Sequence, residues 1–284
     1  MTRLPKRKRV SWRIILVVSA AFAPLLIPGN QHVIRLACTV LAVVFAVKAW
    51  DLASDDSATA LPPIRFVIHL FNPFSLAQRL VLADRKPTAA SDCRSILLNS
   101  AFGFGAVILA LEIFRIDWAR HPAFAERCAK TFAIFFAIHF IPNVLAALGR
   151  RVGIDSTDFC KPFILARTPA EFWRFYNRPA EQFFRIHVFN QMGGLRRFVR
   201  ATLATFLVSA LVHEYVFDIP AGRVLGTQFL FFSIQGVAAL ATAAYRPRGW
   251  KAALSTTATF GFNVVTGVIF VSSMNAVFPI WSPR

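Results

Sequence analysis

The chain of 284 residues is poor in charge, and poorest in acid: charged residues make up 16% of it, and 14 Asp and Glu stand against 32 Lys and Arg. A soluble domain carries about 25% charged residues, so a water-soluble globule is disfavoured. Cysteine is scarce too, and Cys38, Cys93, Cys128 and Cys160 lie too far apart for CxxC or CxxH spacing, so neither a zinc site nor a disulfide framework is expected. There is no GxSxG nucleophile elbow. Position 217, where a zinc peptidase helix starting at His213-Glu214 would need its second His, is Phe217. No internal repeat or low-complexity segment is evident. What the chain has in abundance is apolar: 56% of it is hydrophobic, with 30 Phe. A disordered basic tail is not this apolar. The formal charge of +18, a nucleic-acid signal in a soluble protein, must therefore be judged by where the basic residues sit.

Seven stretches are nearly free of charge over lengths close to a membrane span: roughly 14–28, 33–50, 95–111, 131–148, 201–217, 224–245 and 255–280. A bilayer needs about 20 apolar residues per helix. The first two stretches are short and borrow their flanks, with Arg13, Arg35 and Lys48 expected to snorkel toward headgroups. With a cytoplasmic N-terminus, 25 of the 32 basic residues fall on inside segments, chiefly 3–13, 48–94, 150–200 and 246–251. That bias follows the positive-inside rule and removes the case for nucleic acid, whose basic patch would lie on one folded surface. The expectation is an all-α polytopic membrane protein: one domain over 1–284, a basic cytoplasmic stretch at 1–13, and about seven transmembrane helices with interfacial or re-entrant helices around an intramembrane chamber. Lys6-Arg7-Lys8-Arg9, an apolar run and Ala21-Phe22-Ala23 imitate a signal peptide. Pro24 at the scissile position and the apolar continuation through Ile27 favour a retained signal anchor.

Two segments are neither spans nor plain loops. Residues 64–82, broken by His69, Asn72, Pro73 and Gln78, read as an interfacial or dipping segment. In 168–191, Thr168-Pro169-Ala170-Glu171 announces a helix: an N-cap, Pro at the first helical position, and Glu to close a capping box. An aromatic run with Arg174, Arg178 and Arg185 follows, as at a headgroup boundary, and Pro179 is expected to kink or restart the helix. Asn177, just before the break, reads first as a cap. Trp173 and Tyr176 read as interfacial anchors, and His187 as an interfacial histidine.

The apolar helix at 200–217 carries His213 and Glu214. Ionisable groups inside a bilayer are costly, roughly 2.5 to 3.5 kcal/mol for Asp at a helix centre, and are functional candidates by default. On the helical wheel Thr202, Thr205 and Ser209 share the face of His213. Small polar residues serve helix packing; with a histidine at the end of the stripe they also suit a lined cavity. A neutral imidazole there suits general-base work on a hydroxyl. Glu214, about 100° round the helix, either tunes the site or pairs with a neighbouring helix, and Tyr215 faces away and packs. Gln235 either lines a chamber or bonds across helices.

Residues 168–245 resemble the core of the membrane-bound O-acyltransferases, in particular the wax-synthase-like branch related to diacylglycerol and sterol O-acyltransferases. The matching text is TPAEFWRFYNRPAEQFFRIHVF, RRFVRATLATFLVSALVHEYVF and FLFFSIQG, with weaker likeness in KAWD (48–51) and FNPFSL (71–76). The chain is shorter than most members of the family, and Ala180 stands where Val is common. The resemblance implies that His213 is the catalytic base, that Asn177 lies near the reacting acyl group, and that a chamber admits a fatty acyl-CoA cosubstrate and a hydroxyl-bearing lipid or small-molecule acceptor, with no metal or other cofactor. Thr202, Thr205, Ser209, Trp173, Gln235, Glu214 and Arg178 are the expected substrate-binding residues. Arg174, Arg178, Arg185, Arg196 and Arg197 serve either CoA phosphates or topology alone. A sugar, polyketide or lysolipid acceptor stays open, as does a small lipid or metabolite transporter with His213 in a proton relay. The Arg- and Ala-rich style points to a bacterial cytoplasmic membrane. One architectural demand follows. Arg200 belongs near the interface, so His213 lies about 20 Å deeper, and the 168–191 segment must dip into a protein-walled cavity to meet it.

Overall fold

The computed structural model describes residues 19, 21–54, 63–72, 74–77, 88–154 and 156–282. The basic 1–13 stretch and most of the expected 14–28 span lie outside them; the described remainder of that span ends in a 3-10 turn, Ala23–Leu26. The regular elements among the described residues are helical. In chain order the α-helices are α1 (His32–Ser54), α2 (Pro63–Phe71), α3 (Ala89–Arg115), α4 (Ala123–Arg151), α5 (Pro169–Phe175), α6 (Arg178–Phe184), α7 (Phe198–Ala221), α8 (Thr227–Thr242) and α9 (Trp250–Val277). α1, α3, α4, α7 and α9 are long and apolar enough to cross a membrane. α8, at 16 residues, covers only about 24 Å at 1.5 Å per residue. Outward-facing Leu97, Phe104 and Leu211 are exposed, as helices that meet lipid rather than water require. The chain is thus a polytopic, all-helical integral membrane protein.

Polar ties show which helix ends share a side. His32, opening α1, hydrogen-bonds through Nδ1 to the carbonyl of Pro220 at the end of α7 (2.7 Å). Arg150, at the end of α4, pairs with Asp92 at the start of α3 (2.6 Å). Lys130, early in α4, donates to Glu126 (2.8 Å) and to the carbonyl of Ile280 beyond α9 (2.9 Å). With the short α7–α8 turn, these ties gather the end of α1, the start of α3, the end of α4, the start of α7, the end of α8 and the start of α9 at one end of the bundle. The described parts of the basic segments grouped by sequence (48–94, 150–200 and 246–251) meet there.

Lys48 departs from expectation. Rather than snorkelling, it is fully buried, and its ammonium donates to the carbonyls of His69, Leu70 (3.0 Å) and Asn72 (2.6 Å). The last carbonyls of a helix lack intrahelical partners, and a cation there satisfies them and the negative end of the helix dipole together. α2 is therefore anchored on α1. Burial, and then the Lys48 charge, push the His69 imidazole down to about 4, so it packs beside the cation as a neutral ring. The segment after it turns back through Asn72, whose Oδ1 accepts the Phe74 amide (3.0 Å); residues 78–82 of this expected interfacial stretch lie outside the described set.

Two glycines let helices approach closely. A Cβ on Gly236 of α8 would stand 3.0 Å from Cβ and Cγ of Phe206 on α7, and one on Gly267 of α9 would stand 3.0 Å from Cγ2 of Thr131 on α4. Small residues at such crossings are how membrane helices gain packing contact. Gly236→Val is expected to lower the thermal midpoint in detergent, by the equivalent of about 1 to 3 kcal/mol for overpacking. Gly261→Val, where no atom lies within 4 Å, is the control that leaves the midpoint nearly unchanged.

Candidate active site

α5, α6, the π-helical turn Arg185–Phe189, α7, α8, α9 and part of α4 enclose a cavity of about 720 Å³, within the range usual for small-molecule sites. Phenylalanines dominate its wall. Its polar lining includes Asn177, Thr202, Thr205, Ser209, His213 and Asn263, with Trp173, Arg174 and Arg246 also on the wall.

The 168–191 segment folds as its residues direct, with one difference. Thr168 caps α5, its Oγ1 accepting the Glu171 amide (3.1 Å), but Glu171 reaches the amide of Arg167, one residue ahead of the cap (2.7 Å). Of the two outcomes expected at Pro179, a kink or a restart, the helix shows the restart. It stops at Phe175 and restarts at Arg178. Pro179 lies in the first turn of α6, where its missing N–H has no helical partner to lose. The turn is made by Asn177, at φ 46 and ψ 59, the one non-glycine residue with positive φ among the described residues. Asn tolerates this left-handed conformation better than most residues.

A residue held there needs its surroundings to hold it. A run of chain at 159–161 lies against the break: the Lys161 amide donates to the Phe175 carbonyl (2.9 Å), and the Arg178 amide to the Phe159 carbonyl (2.8 Å). The Asn177 amide points at Sγ of Cys160 (3.5 Å), a thiol that burial pushes up to about 12 and keeps protonated. Asn143 of α4 in turn grips Cys160 through both its backbone groups, at 3.0 Å each. Oδ1 of Asn177 caps α6 at the Ala180 amide (3.4 Å), and its NH2 has no hydrogen-bond partner among the described residues. The cap read from the sequence is present, on a residue that also lines the cavity.

His213 sits between aromatic rings, 4.5 Å from that of Phe232 and 5.8 Å from that of Phe270, centroid to centroid. Its Nδ1 is 2.7 Å from the Ser209 carbonyl one turn earlier. A carbonyl only accepts, so Nδ1 carries the hydrogen, and in the neutral ring Nε2 is left as the base. Among the described residues Nε2 has no hydrogen-bond partner. Thr202, Thr205 and Ser209 line the cavity on the same face, Thr205 already bonded to its own helix at the Ala201 carbonyl (2.8 Å).

Three expected site residues stand behind the wall rather than in it. Gln235 is fully buried; it accepts from Trp173 Nε1 (2.9 Å) and donates to Asn263 (3.2 Å) and Thr266 (2.9 Å). It therefore bonds across helices, joining α5, α8 and α9. Glu214 accepts the amides of Phe229 (2.8 Å) and Gly226 (3.3 Å) and satisfies the start of α8. Arg178 is not among the lining residues. Arg185 does line the cavity, and its π turn is held by His187, a half-buried residue whose Nε2 is 2.7 Å from Asp51. Tyr215 faces away, its hydroxyl on the Ala21 carbonyl. Asn263 and Arg246, not expected at the site from the sequence, are both on the wall; Asn263 is one of several polar residues along α9, so polarity alone does not single it out.

The sequence has a counterpart among known families. The profile of the MBOAT, membrane-bound O-acyltransferase family matches residues 92–275, nearly two thirds of the chain, and the protein belongs to that family. No curated protein is similar enough to count as a match. Membership makes the protein a membrane O-acyltransferase.

Asn143→Leu leaves the amide and carbonyl of Cys160 unpartnered in the interior. It is expected to cost about 1 to 3 kcal/mol, read as a lowered thermal midpoint in detergent, while Asn143→Asp, which keeps the acceptor, loses less.

Proposed function

We propose that the protein transfers a fatty acyl group from acyl-CoA to the hydroxyl of a lipid alcohol, forming a wax-type ester, with His213 as general base. The observation that supports this reading is the tautomer of His213: with Nδ1 bound to a backbone carbonyl, Nε2 is a free proton acceptor on the wall of an aromatic chamber. The acceptor hydroxyl gives its proton to Nε2 as its oxygen attacks the thioester carbonyl. The C–S bond then breaks, and the imidazolium returns the proton to the departing thiolate, giving ester and free CoA. The Phe232 ring, 4.5 Å away, is within the range at which an aromatic face favours a transient cation.

Asn177 supplies the second role. Its Oδ1 is engaged as a cap and its NH2 remains to donate to the oxyanion that develops on the thioester carbonyl. The apolar wall suits the alkyl chain, and Thr202, Thr205 and Ser209 suit the hydroxyl end of the acceptor. The end of the bundle that gathers residues 150–200 and 246–251 faces the cytoplasm in this reading, as the positive-inside rule asks, and so faces the supply of acyl-CoA.

The test is ester formation by the purified protein in lipid nanodiscs, with labelled acyl-CoA and a panel of long-chain alcohols, glycerides, sugars and lysolipids. His213→Ala is expected to lower turnover by about 10²- to 10⁴-fold; undiminished turnover would remove the general-base role. Asn177→Asp keeps the cap acceptor and a side chain that tolerates positive φ, while removing the donor. It is expected to leave the thermal midpoint nearly unchanged and to lower kcat by about 10²- to 10³-fold.

A further inference from the structure

Beside the chamber lies a second, smaller cleft, of about 220 Å³, whose lining includes Arg167, Thr168, Glu171, Arg174, Arg246 and Arg248. Its four arginines come from two separate parts of the chain, the approach to α5 and the α8–α9 turn. Two of them, Arg174 and Arg246, also line the chamber, so the cleft sits at its edge. Against four guanidinium groups it holds one carboxylate, that of Glu171, which is already engaged by the Arg167 amide (2.7 Å). None of the four has a carboxylate within ion-pairing distance among the described residues.

The cleft is braced from behind. Ser255 and Thr259 of α9 both donate to the Arg167 carbonyl. Arg246 folds onto the carbonyls of Ala243 (2.7 Å) and Tyr245 (2.9 Å) through one of its three nitrogens, which fixes its stem and leaves its other donors available. Scattered basic residues satisfy a topology rule equally well. Convergence of four forked cations on one concave site, with no lysine among them, is what bidentate recognition of phosphate calls for.

The spacing fits a donor that reaches from this cleft to His213. Phe232, which packs on His213, lies ten residues before the end of α8 at Thr242, about 15 Å along the helix axis. The pantetheine arm of CoA, about 13 bonds from sulfur to the first phosphorus, spans about 15 Å at the extension of a peptide chain. We propose that Arg167, Arg174, Arg246 and Arg248 form a phosphate-binding site at the chamber edge that holds the phosphates of the acyl donor while its thioester lies at His213. This rests on the reading of acyl-CoA as donor; an anionic lipid headgroup offers the same phosphate chemistry and is the rival source.

The experiment compares wild type with Arg167→Gln/Arg248→Gln, two positions outside the chamber wall, in nanodiscs with and without anionic lipid. Donors are palmitoyl-CoA and the palmitoyl thioester of N-acetylcysteamine, which has the same reacting bond and no phosphate. A site for donor phosphate raises KM for palmitoyl-CoA about tenfold or more in the variant, as for lost charged hydrogen bonds, with kcat little changed and the phosphate-free donor unaffected, whatever the lipid. Added salt then raises the palmitoyl-CoA KM of wild type more than that of the variant. Equal effects on both donors, or none, overturn the proposal. A defect that appears only with anionic lipid, on both donors, assigns the cleft to a headgroup instead. Calorimetric titration of CoA itself separates this proposal from the donor reading: if no donor is turned over yet CoA binds wild type about tenfold or more tightly than the variant, the cleft stands and the acyl-CoA reaction falls. Unchanged CoA affinity overturns the cleft.

Discussion

A helix that breaks inside a membrane protein frees backbone groups that lipid does not satisfy, and the break at Tyr176–Asn177 is the point from which the rest of the site is organised. The chain answers it by laying residues 159–161 against the exposed peptide groups, and α4 answers in turn by sending Asn143 to the backbone of Cys160. The irregular backbone this protects lies at a protein-walled cavity, the setting in which non-helical chain is tolerated in a membrane protein. Asn177 is thereby held in a conformation an unconstrained chain seldom adopts, with its NH2 left over.

A second set of polar contacts fixes the wall from behind. Trp173, Gln235, Asn263 and Thr266 link α5, α8 and α9, Glu214 anchors the start of α8, and the Asp51–His187 pair holds the π turn. Gln235, Thr266, Glu214 and Asp51 among them are buried polar groups with partners on other elements, and leaving such a group unpaired costs more than forming the bond gains. The chamber is therefore shaped by hydrogen bonds that run from wall residues such as Trp173 and Asn263 to Gln235 behind them, while phenylalanines make up most of its inner surface.

How much of this was legible in the sequence depends on range. The helix start at Thr168, the cap at Asn177 and the polar face of α7 are local patterns of three to eleven residues, and each is present. Five of the spans expected from hydropathy are present among the described residues as helices long enough to cross a membrane, and α8 is shorter than its charge-free stretch because its final residues turn out of the helix at Ala243. The sequence reads Lys48 and His187 as boundary residues, and Gln235 and Glu214 as residues either of a site or of a contact between helices; all four meet partners on other elements. No local pattern separates a snorkelling lysine from one that caps a helix twenty residues on. The KAWD motif makes the point: its Lys and Asp serve α2 and the π turn, two segments that are not neighbours in the chain.

The bond from His213 to the Ser209 carbonyl lies within one turn of one helix. A histidine oriented in this way has no acidic partner to inherit, lose or co-evolve with, since the group that fixes its tautomer is peptide backbone and is present whatever side chain occupies position 209. The arrangement is portable: any helix that faces a dry chamber and can direct an imidazole back along its own axis acquires an oriented base by a single substitution. New sites of this kind can therefore arise on existing helices without a second residue having to appear at the same time.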